Sequence, residues 1–307
     1  MRNFLFFIII TAFLASCSED FFDQTIDIDP PAYDKQLVTH ALVSNRDSSL
    51  SLPLTRNFGI LDQVPDSAWA VKNALVEIYE EGQLKLIVPS SGSQWYSIFL
   101  LPGFFQPGKS YELRASHPDF STVSARQVMP GPFQIDSTAY RENAGLSSEG
   151  DELSAIDVYL QDQAGVKNYY VIAADGLYPS LSPKFDTLGF FIGYDTLGYS
   201  VTDIQAESPE DPNVRKAVGN AFAVTDQAFD GQAYKFTFRT YRGYGYTNFR
   251  AHVWSVTEDY YRYAVSAQRK YDSEEVPLVE PVTVYHNLEN GIGIFGLGWE
   301  ELRQVGH

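Results

Sequence analysis

The sequence predicts a mainly β protein: an N-terminal immunoglobulin-like β-sandwich followed by a second β-rich, sandwich-like domain with one docked helix. Three observations favour this class. Aromatic residues make up 15% of the chain, with 20 Tyr and 21 Phe, a composition typical of strands. Short segments of alternating apolar and polar residues recur between turn signals. One segment shows the apolar spacing of a helix.

The first domain is expected over residues 35–132. The Glu80-Glu81-Gly82 segment is predicted to turn a hairpin, because glycine supports the backbone that tight turns need. Pro130-Gly131-Pro132 ends the domain. The expected strands are Lys35–Ser44, Leu50–Arg56, Ala74–Tyr79, Gln83–Val88, 111–116 and Val123–Met129. About seven strands in about 100 residues are typical of an immunoglobulin-like sandwich.

The second domain is expected over residues 133–307. Glu152–Leu160 is predicted to pair with Asn168–Ala174, and Ala221–Asp226 with Ala233–Tyr241. Further strands are expected at Thr247–Val256 and within Val282–Phe295.

A helix is predicted after the strand that ends at Val256. Ser255 and Thr257 offer N-terminal caps, and Glu258 and Asp259 favour the positive end of the helix dipole. The apolar positions that recur at helical spacing are Tyr260, Ala264, Ala267 and Tyr271. We expect these four side chains to face the core.

The chain begins with an export signal, residues 1–16. Arg2 supplies a positive start, Phe4–Ile10 an apolar run, and the run is too short to span a membrane. Leu14-Ala15-Ser16-Cys17 resembles the lipobox of bacterial lipoproteins, in which the cysteine thiol is acylated and the chain is cut before it. Cys17 is the single cysteine, so no intramolecular disulfide can form. The acyl chains on Cys17 would hold the protein on the outer membrane.

An acidic, proline-containing tether is expected over residues 17–34. Ser18, Glu19 and Asp20 resemble the short signal that moves Bacteroidota lipoproteins to the outside of the outer membrane, and the alternative is a plain solvated tether. The formal net charge of −17 argues against nucleic acid as a partner, because nucleic-acid binding requires basic patches.

No catalytic or cofactor-binding constellation is predicted. Gly291–Gly296 matches G-x-G-x-x-G formally, but no helix can follow it, and a close-packed terminal strand is expected instead. The five histidines lack metal-ligand spacing. A carboxylate pair such as Glu149 and Asp157 would be an arbitrary choice for a glycosidase. Whether loops such as Ser208–Asp211 and Ser148–Glu152 bind calcium stays open.

The stretch Tyr241–Phe249, YRGYGYTNF, has two interpretations. It could be a hairpin tip with cross-strand aromatic pairs. It could also be an exposed surface for a protein partner or a sugar. The residues of that surface would be Tyr241, Arg242, Tyr244, Tyr246 and Phe249.

Four segments carry a family resemblance: the lipobox with its tether, PPAYDKQLVTHALVS, AVTDQAFDGQAYKF, and VYHNLENGIGIFG after SVTEDYYRY. Together they resemble the domain-of-unknown-function 4249 family of Bacteroidota outer-membrane surface lipoproteins. The resemblance implies a gene neighbourhood shared with TonB-dependent transporters and no established catalytic residues. Within the signatures, Asp230-Gly231 is expected to form a hairpin turn, and the terminal glycines to permit close backbone approach.

These observations predict a lipid-anchored accessory protein of a TonB-dependent outer-membrane transporter, which helps to capture or gate the transported substrate. No enzyme activity and no cofactor are expected. One alternative is a freestanding surface adhesin or glycan-binding module that uses the Tyr241–Phe249 stretch. Another is a hydrolase with an unrecognised site.

Overall fold

The computed structural model describes residues 32–59, 61–65, 68–204, 206–207, 210–241, 247–274 and 280–306. The predicted signal peptide and most of the tether lie outside these residues. The chain divides into two compact units, residues 1–34 with 58–64, and residues 35–57 with 65–307. In the described part of the smaller unit, the Tyr33 hydroxyl donates to Asp62 Oδ2 at 2.5 Å. The larger unit holds the strands and the long helix.

The strands of the larger unit follow one another closely along the chain. The first seven are β1 (Leu37–Ser44), β2 (Ser49–Arg56), β3 (Leu75–Glu80), β4 (Gln83–Val88), β5 (Trp95–Phe99), β6 (Ser110–His117) and β7 (Phe120–Val128). The others are β8 (Gln134–Leu146), β9 (Glu152–Gln161), β10 (Tyr169–Phe185), β11 (Phe191–Asp203), β12 (Arg215–Ala217), β13 (Ala221–Thr225), β14 (Ala233–Tyr241), β15 (Thr247–Val256) and β16 (Ile292–Gln304). Helix α1 (Glu258–Glu274) lies between β15 and β16. The mainly β prediction is confirmed.

Nine strands form one large sheet, in the order β12-β13-β10-β15-β16-β1-β2-β5, with β11 paired to β10. At its centre β1 and β16 pair in parallel, from Val38 opposite Ile292 to Ser44 opposite Gly298. The other pairs in this sheet are antiparallel. Strands from both predicted domains therefore share one sheet, and the division at residues 132 and 133 stays a prediction.

Two smaller sheets pack against the large one in a sandwich-like arrangement. The sheet β4-β3-β6-β7 shares a core with β1, β2 and β16, in which Leu52 and Leu113 are fully buried. The sheet β14-β9-β8 shares a second core with β10, β13 and β15, which includes Ile172 and Phe238. Burial of these apolar faces supplies most of the driving force for folding.

Helix α1 begins at the predicted cap and packs against the large sheet. The Tyr260 N–H donates to Thr257 Oγ1 at 3.4 Å. Ala264 and Val265 are buried against Val171 and other residues of β10, β12 and β13. The predicted core stripe is wrong at Tyr271, which is 62% exposed, because the buried face of the helix ends before its last turns.

Several local predictions are confirmed. Strands β3 and β4 form the predicted hairpin, and Glu81 and Gly82 have φ angles of 51° and 79° in its turn. The terminal glycine segment forms β16, and a Cβ at Gly293 would lie 1.8 Å from the Thr39 carbonyl oxygen. The expected close backbone approach is therefore present at Gly293.

The strand pairs predicted for the second domain have the wrong partners. Strand β9 pairs with β8 and β14, whereas β10 pairs with β11, β13 and β15. The segments 162–168 and 226–232 each cross from one sheet to another, so strands adjacent in sequence do not become adjacent in a sheet. Asp230-Gly231 lies in the second crossing segment, and the hairpin-turn prediction for it is wrong.

Candidate functional site

Strands β10 and β11 extend beyond the rest of the large sheet as a two-stranded arm, residues 176–203, called the arm below. The last pairing of β10 with β15 joins Leu177 to Thr247. Beyond Leu177, β11 is the one strand that pairs with β10 among the described residues. Two-stranded hairpins are marginally stable alone in water, so an arm of this length is expected to find further contacts in its working state.

One face of the arm is apolar. Cross-strand partners share a face, and every second residue points the same way except at two β-bulges of β11, where Ile192 and Leu197 have no partner on β10. On β10 this face contains Leu177, Pro179, Leu181, Pro183 and Phe185, and on β11 it contains Phe191, Tyr194, Thr196, Tyr199 and Val201. Six of these side chains, Leu181, Phe185, Phe191, Tyr194, Tyr199 and Val201, are 48–61% exposed. Exposed apolar side chains grouped on one face make it a candidate interaction site. We call it the apolar face.

The opposite face of the arm is polar. It carries Ser180, Ser182 and Ser200, and Lys184 Nζ lies 3.0 Å from Asp195 Oδ1 across the strands. The turn at the tip is held by Asp186, whose Oδ1 accepts the N–H groups of Leu188 and Phe190 at 2.8 and 2.9 Å. The arm is therefore amphipathic in its own right.

A charged network lies at the base of the arm, where β10 leaves β15. Arg250 donates to Asp175 from Nε at 2.8 Å and from Nη2 at 2.5 Å. His252 lies between two carboxylates, with Nε2 3.0 Å from Asp175 Oδ2 and Nδ1 2.8 Å from Glu300 Oε1. Asp175 is 5% exposed, so this network replaces the water that a buried carboxylate would otherwise require.

The network shifts the ionisation of its members in opposite senses. Burial raises the pKa of Asp175, but hydrogen bonds and charges from Arg250 and His252 outweigh it and hold the pKa below its usual value. Burial lowers the pKa of His252, but the hydrogen bonds and charges of Glu300 and Asp175 raise it above its usual value. Asp47 adds a further carboxylate close to Glu300. A protonated imidazole donates from both ring nitrogens, which suits these two acceptors.

We expect His252→Gln to lower the free energy of unfolding most at about pH 6, and less as the pH rises to about 9. The folded pKa of His252 is above the unfolded value of about 6.5, so its contribution is complete below that value and is lost as the pH rises through the folded pKa. From hydrogen bonds to charged groups we expect a loss of about 2 kcal/mol at about pH 6. Urea unfolding of both proteins at several pH values measures the difference.

The matched control is His117→Gln, at a histidine of β6 in another sheet. We expect a smaller loss for this variant at about pH 6, because the His117 ring accepts the Asp119 N–H at 3.2 Å instead of lying between two buried carboxylates. A loss for His252→Gln that is the same at every pH would contradict the ionised arrangement of His252.

Three carboxylates, Asp162, Asp226 and Asp230, lie with oxygen atoms within 4.8 Å of one another. Each accepts a backbone N–H from the crossing segment opposite its own: Asp162 from Gly231 at 2.8 Å, Asp226 from Asn168 at 2.6 Å, and Asp230 from Gly165 at 2.7 Å. Burial first, and then the charges of Asp162 and Asp230, raise the pKa of Asp226. Carboxylates at this spacing can bind a cation, and here they tie the two crossing segments together.

The two loops considered as calcium sites, Ser208–Asp211 and Ser148–Glu152, contain none of these three carboxylates. Asp211 accepts hydrogen bonds from the Asn213 N–H at 2.8 Å and from the Tyr234 hydroxyl at 2.8 Å, while Ser208 lies outside the described residues. In the loop Ser148–Glu152, the N–H groups of Glu149 and Asp151 donate to the Ser147 hydroxyl. Calcium binding at these loops stays an open question.

The predicted contact residues of the Tyr241–Phe249 stretch are not all at the surface. Arg242, Tyr244 and Tyr246 lie outside the described residues, as do Cys17, Ser18, Glu19 and Asp20 at the anchor. Tyr241 is half-buried at the end of β14. Phe249 is 4% exposed and stacks on Tyr140 with ring centroids 4.8 Å apart. Its burial leaves Phe249 without surface for a partner, so the contact role does not fit this residue.

Asp157, one of the two carboxylates considered for a glycosidase, is buried and held by ion pairs. It is 1% exposed, and it pairs with Arg141 at 2.6 Å and Lys235 at 3.2 Å while accepting the Thr237 hydroxyl at 2.8 Å. Burial raises its pKa, but the hydrogen bonds from these three residues outweigh burial and lower it below the usual value. A carboxylate held ionised by two cations is a poor general acid.

The arm was not assigned from the sequence. Residues 177–185 alternate Leu, Pro or Phe with Tyr, Ser or Lys, which is a strand signal.

Among the described residues, no helix has the length and apolar character that crossing a membrane requires.

Together, the fold and the site define a mainly β protein with an amphipathic arm whose apolar face is exposed. The model of one family, described as a domain of unknown function (DUF4249), matches residues 23–302. The chain belongs to this family. No curated protein matches.

Five chains of solved structures are similar to this one. One belongs to the structure titled "Ca2+-stabilized adhesin helps an Antarctic bacterium reach out and bind ice"; it shares 9% identity, with 74% of this chain and 70% of that chain covered. Its TM-score is 0.18, a value at which the likeness supports no conclusion.

Proposed function

We propose that the protein is a lipid-anchored accessory protein on the outer face of the outer membrane, which docks on a TonB-dependent transporter and helps to capture or gate its substrate. The exposed apolar face of the arm is the observation that carries this proposal. The lipobox-like motif at Cys17 supports a location beside outer-membrane proteins.

The composition of the apolar face fits a protein partner. Tyrosines such as Tyr194 and Tyr199 are enriched at protein interfaces, because each ring buries a large area while its hydroxyl can still form a hydrogen bond. Leu181, Phe185 and Phe191 add exposed apolar side chains, which are typical of the water-free centre of a protein interface.

The charge of the arm disfavours an anionic lipid surface as the occupant. Residues 176–203 contain one lysine, Lys184, and three aspartates, Asp186, Asp195 and Asp203. Amphipathic elements that lie on anionic membranes carry lysine and arginine on their polar face instead. The formal net charge of −17 of the whole chain also disfavours binding to an anionic lipid surface.

The anchor makes a moderate affinity sufficient for docking. Two or three acyl chains, at about 0.8 kcal/mol per buried CH₂, hold the protein stably on the membrane. Anchor and transporter then share one surface, which raises the effective concentration of the arm at its partner.

Removal of two aromatic rings from the apolar face is expected to weaken docking strongly. We expect Tyr194→Ser with Tyr199→Ser to weaken transporter binding about 100-fold, because two interface tyrosines each contribute about tenfold. The measurement is capture of the tagged, full-length lipoprotein from outer membranes in mild detergent, with co-purified proteins identified and quantified by mass spectrometry.

The matched control changes the opposite face of the arm, as Ser182→Asn with Ser200→Asn. We expect this variant and the wild type to retain a TonB-dependent transporter in equal molar amount, and Cys17→Ala to retain less. If the wild type is captured without a transporter, or if the two double variants behave alike, docking through the apolar face is refuted.

A further inference from the structure

We propose that the outer edge of β11 is a strand acceptor, to which the docked partner adds an extended segment in register with Tyr194–Val201. This inference rests on the proposed docking function and specifies its geometry. The added strand would present apolar side chains toward the apolar face and polar side chains toward the polar face. Such strand addition obtains affinity from backbone hydrogen bonds and specificity from alternate side chains.

Two contacts at the base of the arm show which way the backbone N–H and C=O groups of β10 point. The Ala174 carbonyl accepts the N–H of Ile204 at 2.9 Å, so even-numbered residues of β10 direct their backbone groups toward β11. The Leu177 carbonyl accepts the Thr247 hydroxyl at 3.5 Å on the opposite side of β10. The backbone N–H and C=O groups of odd-numbered β10 residues therefore point away from β11. In a strand these directions alternate, and β10 keeps its alternation through the arm.

The same register assigns the outward positions of β11. Ser200 and Gly198 lie opposite Tyr178 and Ser180, and their backbone groups point toward β10. The residues opposite odd-numbered β10 positions are Val201, Tyr199, Thr196 and Tyr194, and their backbone groups point outward. Leu197 has no partner on β10, so a β-bulge separates the outward pair Thr196 and Tyr194 from Tyr199 and Val201. In the described ranges, β11 pairs with β10 alone.

The two edges of the arm differ in their ability to accept a strand. On the edge of β10 where the described residues place no further strand beyond Leu177, the outward positions include Pro179 and Pro183, which have no N–H to donate. Proline on an edge strand is a common protection against unwanted pairing. Strand β11 contains no proline, so each of its outward positions carries an N–H group. The arm is therefore closed to pairing along β10 and open along β11.

The side chains of β11 specify the chemistry of the added strand. Outward positions Tyr194, Tyr199 and Val201 also lie on the apolar face, so an added strand with apolar residues in alternate positions would widen that face. On the polar face β11 presents Ser200 and Asp195, and Asp195 already pairs with Lys184 of β10 at 3.0 Å. Polar, hydrogen-bonding side chains of the partner are therefore favoured on that face.

The test compares Thr196→Pro with Leu181→Pro. These residues lie directly opposite each other, and each substitution removes one outward N–H while leaving the hydrogen bonds between β10 and β11 in place. Each tagged full-length variant is added to detergent-solubilised outer membranes from cells that lack the natural protein. The amount of TonB-dependent transporter retained per mole of lipoprotein is then measured.

We expect Thr196→Pro to retain at least about tenfold less transporter than the wild type, since backbone pairing supplies a large share of such affinity, and Leu181→Pro to retain a near wild-type amount. Equal retention by all three proteins would overturn the strand acceptor while leaving the proposed function in place. Retention by none of them would overturn both. Gel filtration tests a second copy of this chain as the occupant. If the wild type and Leu181→Pro are dimers and Thr196→Pro is a monomer, the β11 edge pairs with a second copy, and the transporter assignment is overturned.

Hydrogen exchange of the wild-type complex tests the same inference without any substitution. We expect the amides of Tyr194, Thr196, Tyr199 and Val201 to exchange at least about tenfold more slowly after docking, whereas the amide of Leu181 keeps its rate. Slowing at all five amides, or at none, would contradict strand addition along β11.

Discussion

Gly293→Ala is expected to prevent the native fold, or to lower the free energy of unfolding by more than about 3 kcal/mol. Gly293 has φ 122°, a backbone conformation that side chains rarely allow. A Cβ there would lie 1.8 Å from the carbonyl oxygen of Thr39, its register partner on β1. The clash falls at the centre of the large sheet, where β1 and β16 pair in parallel. Thermal unfolding followed by circular dichroism measures the effect.

Thr39 cannot move away to accommodate the new methyl group. Its side chain is fully buried, and its hydroxyl donates to the Pro53 carbonyl at 2.7 Å on the neighbouring strand β2. Gly131→Ala is the control, because a Cβ there meets no atom within 4 Å. We expect the control to stay within about 0.5 kcal/mol of the wild type. A Gly293→Ala protein that unfolds at the wild-type temperature would show that β1 and β16 are not paired in this register.

Asp162→Ala is expected to lower the free energy of unfolding by about 3 kcal/mol, because it leaves buried donors without an acceptor. Asp162 is 4% exposed; its Oδ1 accepts the Tyr170 hydroxyl at 2.7 Å and Asn168 Nδ2 at 3.0 Å, and its Oδ2 accepts the Gly231 N–H at 2.8 Å. Tyr170 is itself 1% exposed, so water cannot readily replace the carboxylate. Urea unfolding at neutral pH gives the value.

Asp157→Ala is the matched control for Asp162→Ala, since both carboxylates are buried and both form several hydrogen bonds. The cations that bind Asp157, Arg141 and Lys235, have side chains 47% and 44% exposed and can be hydrated again when the carboxylate is removed. We therefore expect a loss of about 1 kcal/mol for the control. Equal losses for the two variants would show that the ties between the crossing segments contribute no more than an ordinary ion pair.

Local features were the most predictable part of the fold. The turn at Glu81 and Gly82 and the cap at Thr257 depend on residues within a few positions of each other, and both are present. The glycines of β16 were predictable as sites of close approach because glycine lacks the atom that would clash. The burial of Phe249 was also predictable, because Phe249, Ala251 and Val253 alternate along the predicted strand Thr247–Val256 and share its buried face.

Sheet partners were the least predictable part. In the second domain, β9 and β13 are each followed by a segment that crosses to the other sheet, so pairing by sequence order failed. The crossing segments bring Asp162, Asp226 and Asp230 together from positions up to 68 residues apart, and no spacing along the chain announces this cluster. The network of Asp175, Arg250, His252 and Glu300 is likewise assembled from β10, β15 and β16.

Composition and neighbouring residues were enough to predict the strand-rich class, the helix, the lipobox-like motif at Cys17 and the family resemblance. The pairing of β1 with β16, and the exposure of the alternating residues of β10 and β11, became known only from the packing of the folded chain. Periodicity states which side chains share a face, whereas the packing of the whole chain decides whether anything covers that face.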